Sequence, residues 1–231
     1  KKYKYRQQRP PVSQHKPSSA ASDVDKRQHK PVAAELYDSI IHLQHRGQDA
    51  AGITTYDDRM HKEKGMGLAK EIFSKENIKL LTGNIGISHN RYPTHGGFSH
   101  GEVQPFWTSV PYGIALGHNG NLTNYNELAA EVTKEETRYL NTTSDSEVLL
   151  HLFADELHQD VPPQTNEEFF DLLCEAVTNI FNKVKGAYSV TSLIIGKGLV
   201  VFRDPQGIRP LVKGERPNGN GGKDYIFASE N

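Results

Sequence analysis

Apolar positions along this chain follow two rhythms, one of period three to four and one of period two. Leu36, Ile40 and Leu43 fall at helical spacing, with Gly47 as a stop, so a helix is predicted from Ala33. Residues 50–56 read as a strand, Asp57-Asp58-Arg59 as a turn, and 60–68 as the returning strand. Residues 71–81 read as one short amphipathic helix. Residues 84–92 form a strand with Ile85 and Ile87 on one face, ended by Pro93, which keeps the backbone before it extended. The polar, glycine-rich stretch 96–105 is long enough to rim a pocket. Residues 106–110 and 112–116 predict a hairpin. After it, Asn119-Gly120-Asn121 reads as a turn, because Gly and Asn adopt positive φ at little cost.

Beyond that turn, 124–132 reads as helix. The best helical signal in the chain starts at Thr143. Ser144 with Glu147 fits a capping box, and Val148, Leu149, Leu152, Phe153 and Leu157 make one apolar face. A second long helix is predicted over 166–184, with Phe169, Leu172, Leu173, Ala176, Val177 and Ile180 inward. Strands follow at 187–195 and 199–203, joined through Gly196-Lys197-Gly198. Asp204 to Leu211 turns into another strand, 216–222 reads as a flexible loop, and 224–229 as a last strand. Strands and helices mixed in this order give an α+β fold class.

Composition sharpens the picture at the front of the chain. Residues 1–31 are rich in Gln, Ser and Pro and hold almost no aliphatic side chain. The first thirty carry nine Lys and Arg against two acids, while the whole chain has a net charge of -1. No period survives there, and disorder is predicted for this basic tail, with a transit peptide or a nucleic-acid arm as functional alternatives. Residues 32–231 are left to form the folded domain. One cysteine excludes a disulfide framework and suits a reducing compartment. No apolar run reaches the length of a membrane span, so a cytoplasmic setting is expected.

The candidate chemistry begins at Asn119 and Gly120. A side-chain amide beside a backbone N–H at a strand end makes a pair of fixed donors, the arrangement that stabilises a developing oxyanion. A plain hairpin turn is the competing reading. Cys174 lies within a predicted helix with no base beside it, so it reads as a small hydrophobe rather than a nucleophile. The spacing of His89, His95 and His100 matches no metal-ligand pattern. Gly196-Lys197-Gly198 precedes no helix and is a hairpin rather than a phosphate loop.

Four ordered motifs carry a resemblance. They are Leu43-Gln-His-Arg-Gly-Gln-Asp-Ala-Ala-Gly-Ile53, His89-Asn-Arg-Tyr-Pro-Thr94, Gly117-His-Asn-Gly-Asn-Leu122 and Thr143-Ser-Asp-Ser-Glu147. Together, over roughly residues 34–231, they resemble the glutaminase half of the glutamine phosphoribosylpyrophosphate amidotransferases (amidophosphoribosyltransferases). Phe202-Arg-Asp-Pro-Gln-Gly-Ile-Arg-Pro-Leu211 narrows the likeness to that family and away from sugar-phosphate amidotransferases. The resemblance implies an N-terminal-nucleophile hydrolase architecture, a four-layer αββα sandwich of two antiparallel sheets. It implies that Arg91 binds the α-carboxylate of glutamine, with Thr94 as a weaker neighbour, and that Asp145 binds the α-ammonium. Asn119 and Gly120 would form the oxyanion hole. Arg46 and Asp49 read as structural pairing residues.

One departure is plain. The family's mature chain begins Cys-Gly-Ile, with the thiol as nucleophile and its own α-amine as base, a pairing that works because an α-amine titrates near neutrality. Nothing like it precedes Pro31, so one strand is expected to be missing and the chain as written is expected to lack activity. The implied function is release of ammonia from glutamine to form phosphoribosylamine in the first step of purine synthesis. A pseudo-glutaminase that keeps the glutamine pocket for binding or assembly is the alternative. No cofactor is expected in this domain, with Mg2+ confined to a phosphoribosyltransferase domain that would be its partner. The resemblance also implies a homo-oligomer at full length, with neither membrane nor nucleic acid as a partner.

Overall fold

The computed structural model describes residues 18–23, 31–92, 100–134, 138–217 and 221–230, with the backbone alone for 18–23. The chain opens with strand β1 (Ser18–Asp23) and helix α1 (Ala33–His42), which tightens into a 3-10 turn over Leu43–Arg46. Strands β2 (Ala50–Tyr56) and β3 (Met60–Met66) form a hairpin, followed by α2 (Ala69–Ile72), α3 (Lys75–Leu80) and β4 (Ile85–Arg91). Then come β5 (Phe106–Thr108), β6 (Ile114–Leu122), α4 (Tyr125–Lys134), α5 (Asp145–Glu156) and α6 (Asn166–Lys183). Strands β7 (Gly186–Ile194), β8 (Gly198–Arg203), β9 (Val212–Pro217) and β10 (Lys223–Ala228) complete the chain.

The strands make two antiparallel sheets, a six-stranded one in the order β3-β2-β4-β1-β10-β9 and a four-stranded one in the order β5-β6-β7-β8. Period two decides what each face meets. On β6, Ile114 and Leu116 turn to the helices, where Val148, Leu152 and Phe153 of α5 and Ile180 of α6 cover them. Ala115 between them turns the other way and packs with Ile87 of β4 and Leu193 of β7. Leu36 and Ile40 of α1 pack with Ala51 and Ile53 of β2 and with Phe73. Each buried Leu, Ile, Val or Phe among them contributes about 1.5–3 kcal/mol. The result is helix, sheet, sheet, helix, the αββα sandwich that the motifs imply.

Three local expectations are corrected. The helix expected over 71–81 is two short ones, because the Ser74 hydroxyl accepts from the Glu76 and Asn77 N–H groups and restarts the helix after buried Phe73. The turn expected at Asn119-Gly120-Asn121 is strand: β6 runs on to Leu122, and these residues pair with Ser189, Tyr188 and Ala187 of β7. Third, the strand expected to be missing is present. Ser18–Asp23, inside the stretch expected to be disordered, lies between β4 and β10, with Ser18 opposite Asn90 and Ala20 opposite Ala228. Two flanking strands supply hydrogen bonds that a run of small residues does not signal by itself. The rest of that tail, residues 1–17 and 24–30, lies outside the described residues, as does Thr94. Of the loop expected over 216–222, residues 216 and 217 belong to β9 (Val212–Pro217).

Candidate functional site

A pocket of about 370 Å³ opens where the end of β4, the second half of β6 and the N-terminus of α5 converge. It is of the size that holds a small metabolite. Its wall includes His89, Arg91, Glu102, Gln104, His118, Gly120, Tyr125, Thr143, Asp145 and Ser146. Two strands and a helix end thus hold the polar groups on rigid elements, with the loops supplying the rest.

Arg91 is the last residue of β4 and is buried. Its Nη2 donates to Glu102 Oε2, and the other Glu102 oxygen accepts from Thr143 Oγ1 at 3.2 Å. Burying a guanidinium and a carboxylate is tolerable only when they are paired and otherwise hydrogen-bonded, and both conditions hold here.

Gln104 performs a different task. Phe106 pairs with Leu116, so the next step of that ladder would place residue 104 opposite 118. The Gln104 side-chain amide makes this step: its Oε1 accepts from His118 N–H at 2.7 Å and its Nε2 donates to His118 C=O at 3.2 Å. The same Nε2 lies 3.1 Å from Ser146 Oγ, which ties the sheet edge to α5.

Asp145 occupies the first turn of α5, where the helix dipole favours a carboxylate. The capping box expected from Ser144 and Glu147 does not form: Ser144 Oγ accepts from Ser146 N–H, while Glu147 turns back to accept from Asn141 and Thr142. Asp145 Oδ2 accepts from Leu122 N–H at 3.1 Å and Oδ1 stands 3.5 Å from His118 Nδ1. Burial alone would raise its carboxyl, but the His118 imidazole and the Leu122 and Ser146 N–H groups hold it below the ordinary carboxylate value.

His118 Nδ1 also lies 3.0 Å from Ser146 Oγ. Gly120 has no room for a side chain: a Cβ there would stand 2.1 Å from Ala187 O, 2.7 Å from Tyr188 Cα and 2.8 Å from His118 Nε2, at a φ of +156°. His89 is a buried part of the wall, with Nε2 3.2 Å from His118 O and the Asn119 side chain hydrogen-bonded to it. Burial pushes its imidazole down to about 3, so it is neutral at physiological pH.

Arg91, Gly120 and Asp145, which the sequence marks as site residues, therefore meet in one wall. Asn119 does not line the pocket; it alternates away from Gly120 along β6, buried beside His89. Arg46 is buried and pairs with Glu230 and Ser229 O rather than with Asp49. Cys174 is exposed on α6. Glu102, Gln104, His118 and Ser146 carry no spacing signal in the sequence, since three separate segments supply them.

Among the described residues, one group has the geometry for a metal ion: exposed Asp57 and Asp58 with His61, at the β2–β3 turn. Asp57 is engaged there by the Thr82 hydroxyl and by His61. No helix of the described residues is long and apolar enough to cross a membrane.

Comparison with known proteins puts this geometry in context. Residues 89–231 match the model of a glutamine amidotransferase domain. The amidophosphoribosyltransferase of Schizosaccharomyces pombe is 47% identical over 204 residues, covering 87% of this chain and 38% of that protein. The Escherichia coli amidophosphoribosyltransferase is 47% identical over 204 residues, covering 87% of this chain and 39% of its own length. The solved glutamine phosphoribosylpyrophosphate amidotransferase from B. subtilis, complexed with ADP and GMP, is 28% identical with a TM-score of 0.70, over 92% of this chain and 41% of that one. The chain spans about two fifths of the length of these relatives.

Proposed function

The chain belongs to the glutamine amidotransferase domain family, and we propose that its pocket binds L-glutamine and presents the side-chain amide for hydrolysis. One observation carries this reading: Arg91 and Asp145, a buried cation and a half-buried anion, face one small cavity beside Gly120. A free amino acid needs one group of each sign. The guanidinium fork suits the α-carboxylate, and the Asp145 carboxylate suits the α-ammonium.

Bound so, the carboxamide would extend toward β6. The oxyanion formed on attack at its carbon would be stabilised by the Gly120 N–H and the Asn119 amide, the latter after its side chain turns from His89. Attack by a thiolate releases ammonia, which takes up a proton, and leaves a thioester that water cleaves to glutamate. Among the described residues no cysteine lines the pocket. On this reading the chain binds glutamine and turns it over more slowly, by several orders of magnitude, than a chain with the thiol in place.

The likeness to amidophosphoribosyltransferases supports a wider reading. In it the ammonia passes to a phosphoribosyltransferase domain of a longer, homo-oligomeric cytoplasmic protein and forms phosphoribosylamine for purine synthesis. No cofactor is assigned to this domain. Titration calorimetry with L-glutamine, beside an assay for released ammonia, tests the proposal. Saturable one-to-one binding with little ammonia is expected; no binding at millimolar glutamine would overturn it.

A further inference from the structure

Glu102 has no part in the reading above, yet it lies in the same wall as Arg91 and Asp145, with only 6% of its side chain exposed. Both of its oxygens are engaged, one by Arg91 and one by Thr143, so the carboxylate is fixed in place. Among the lining residues, Arg91 is the one Lys or Arg, against the two carboxylates of Glu102 and Asp145. The cations nearby already have acidic partners: Arg46 pairs with Glu230, and Arg209 is attracted chiefly by Asp204.

We propose that Glu102 is a specificity-determining residue, whose fixed charge makes the pocket accept the zwitterionic amide and refuse the dicarboxylate its hydrolysis leaves. The inference rests on the glutamine reading and deepens it. A bound zwitterion places its carboxylate on Arg91 and its ammonium beside Asp145, and it adds no net charge to a wall that already carries one negative charge in excess. Glutamate brings one negative charge more, and no unmatched cation lines the pocket to receive it. Product is thereby expelled by the same charges that hold substrate. Tyr125, also in the wall, senses this field: burial first, and then Asp145, Glu147 and Glu102, push its hydroxyl above the ordinary tyrosine value. Glu102 as a mere tie between β4 and the α5 loop would leave the preference between ligands unchanged.

The test is calorimetry of the full 231-residue chain with L-glutamine and L-glutamate, before and after Glu102→Gln. The unaltered chain should bind glutamine and discriminate against glutamate. In Glu102→Gln the discrimination should fall about thirtyfold, the scale of one unit charge acting across roughly 8 Å at an effective dielectric of about 20. Glutamate should gain affinity in absolute terms. Glu102→Asp, which keeps the charge, should restore the preference. Equal losses for both ligands, or an unchanged ratio, would overturn the proposal. If the unaltered chain binds no glutamine, the pocket reading itself fails and the proposal with it. Should Glu102→Gln not fold, the γ-methyl ester of glutamate serves on the unaltered chain. Rejection of this uncharged side chain as strongly as glutamate would overturn the charge argument, and binding near that of glutamine would support it.

Discussion

Glu147→Ala tests how the loop before α5 is held, and with it the placement of Asp145. The Glu147 carboxylate is buried and accepts four hydrogen bonds, from Asn141 N–H at 2.9 Å, Asn141 Nδ2 at 3.1 Å, Thr142 N–H at 2.8 Å and Thr142 Oγ1 at 2.7 Å. Truncation leaves two main-chain donors without an acceptor, each worth about 1–3 kcal/mol, and water reaches part of this loop, so the total is about 2–4 kcal/mol. With a urea slope of about 2 kcal/mol per molar, the unfolding midpoint should fall by about 1–2 M. Burial would raise the Glu147 carboxyl, but these donors hold it below the ordinary value. A depressed folded-state value means stability that is present above the unfolded carboxylate range and is lost as pH falls through the folded value. The gap between the parent and Glu147→Gln should therefore be widest near neutral pH and close in acid. Urea unfolding followed by circular dichroism measures both. A midpoint shift below about 0.3 M, or a gap that widens in acid, would refute the reasoning.

Other substitutions follow from the same geometry. Gly120→Ala puts a Cβ against the Ala187 carbonyl and the Tyr188 backbone, neither of which can yield cheaply, and should cost about 3 kcal/mol in urea unfolding from overpacking and left-handed strain. Arg91→Lys keeps the charge but not the fork, and Asp145→Asn removes the anion; each should weaken glutamine at least about tenfold by calorimetry, the effect of losing a charge-assisted bond of about 1.5–3 kcal/mol. Asp204→Ala strips the acceptor of the Tyr188, Ile208 and Arg209 N–H groups and should lower the urea midpoint by a similar amount to Glu147→Ala. The His89 imidazole, at about 3, should remain uncharged at pH 5 by NMR. The unfolded ring titrates near 6.5, so its contribution to stability is whole above that pH and is lost as pH falls to about 3.

Much of the architecture was legible because burial writes itself as periodicity. The α6 face Phe169, Leu172, Ala176 and Ile180, and the α5 residues Val148, Leu152 and Phe153, are buried where their spacing puts them. The hairpin of β2 and β3 was legible for the same reason. What stayed hidden depended on distant partners. Asn119-Gly120-Asn121 has turn chemistry, but β7 offers a ladder that overrides it, and Gly120 lets the Ala187 carbonyl, the Tyr188 backbone and the His118 ring approach rather than reversing the chain. β1 has the composition of a tail and becomes a strand only because β4 and β10 flank its place. Arg91 and Asp145 were readable through their motifs. Glu102 and Gln104, in a loop that reads merely as a rim, acquire meaning only when Thr143, Ser146 and His118 arrive beside them.

The central claim is that one pocket holds an amino-acid zwitterion by Arg91 and Asp145. A crystal structure of this chain grown with L-glutamine tests it most directly. The account predicts the α-carboxylate on the Arg91 guanidinium, the α-ammonium on Asp145, and the side-chain carbonyl oxygen beside the Gly120 N–H. Glutamine bound in the reverse sense, or outside this pocket, or absent at saturating concentration, would contradict it.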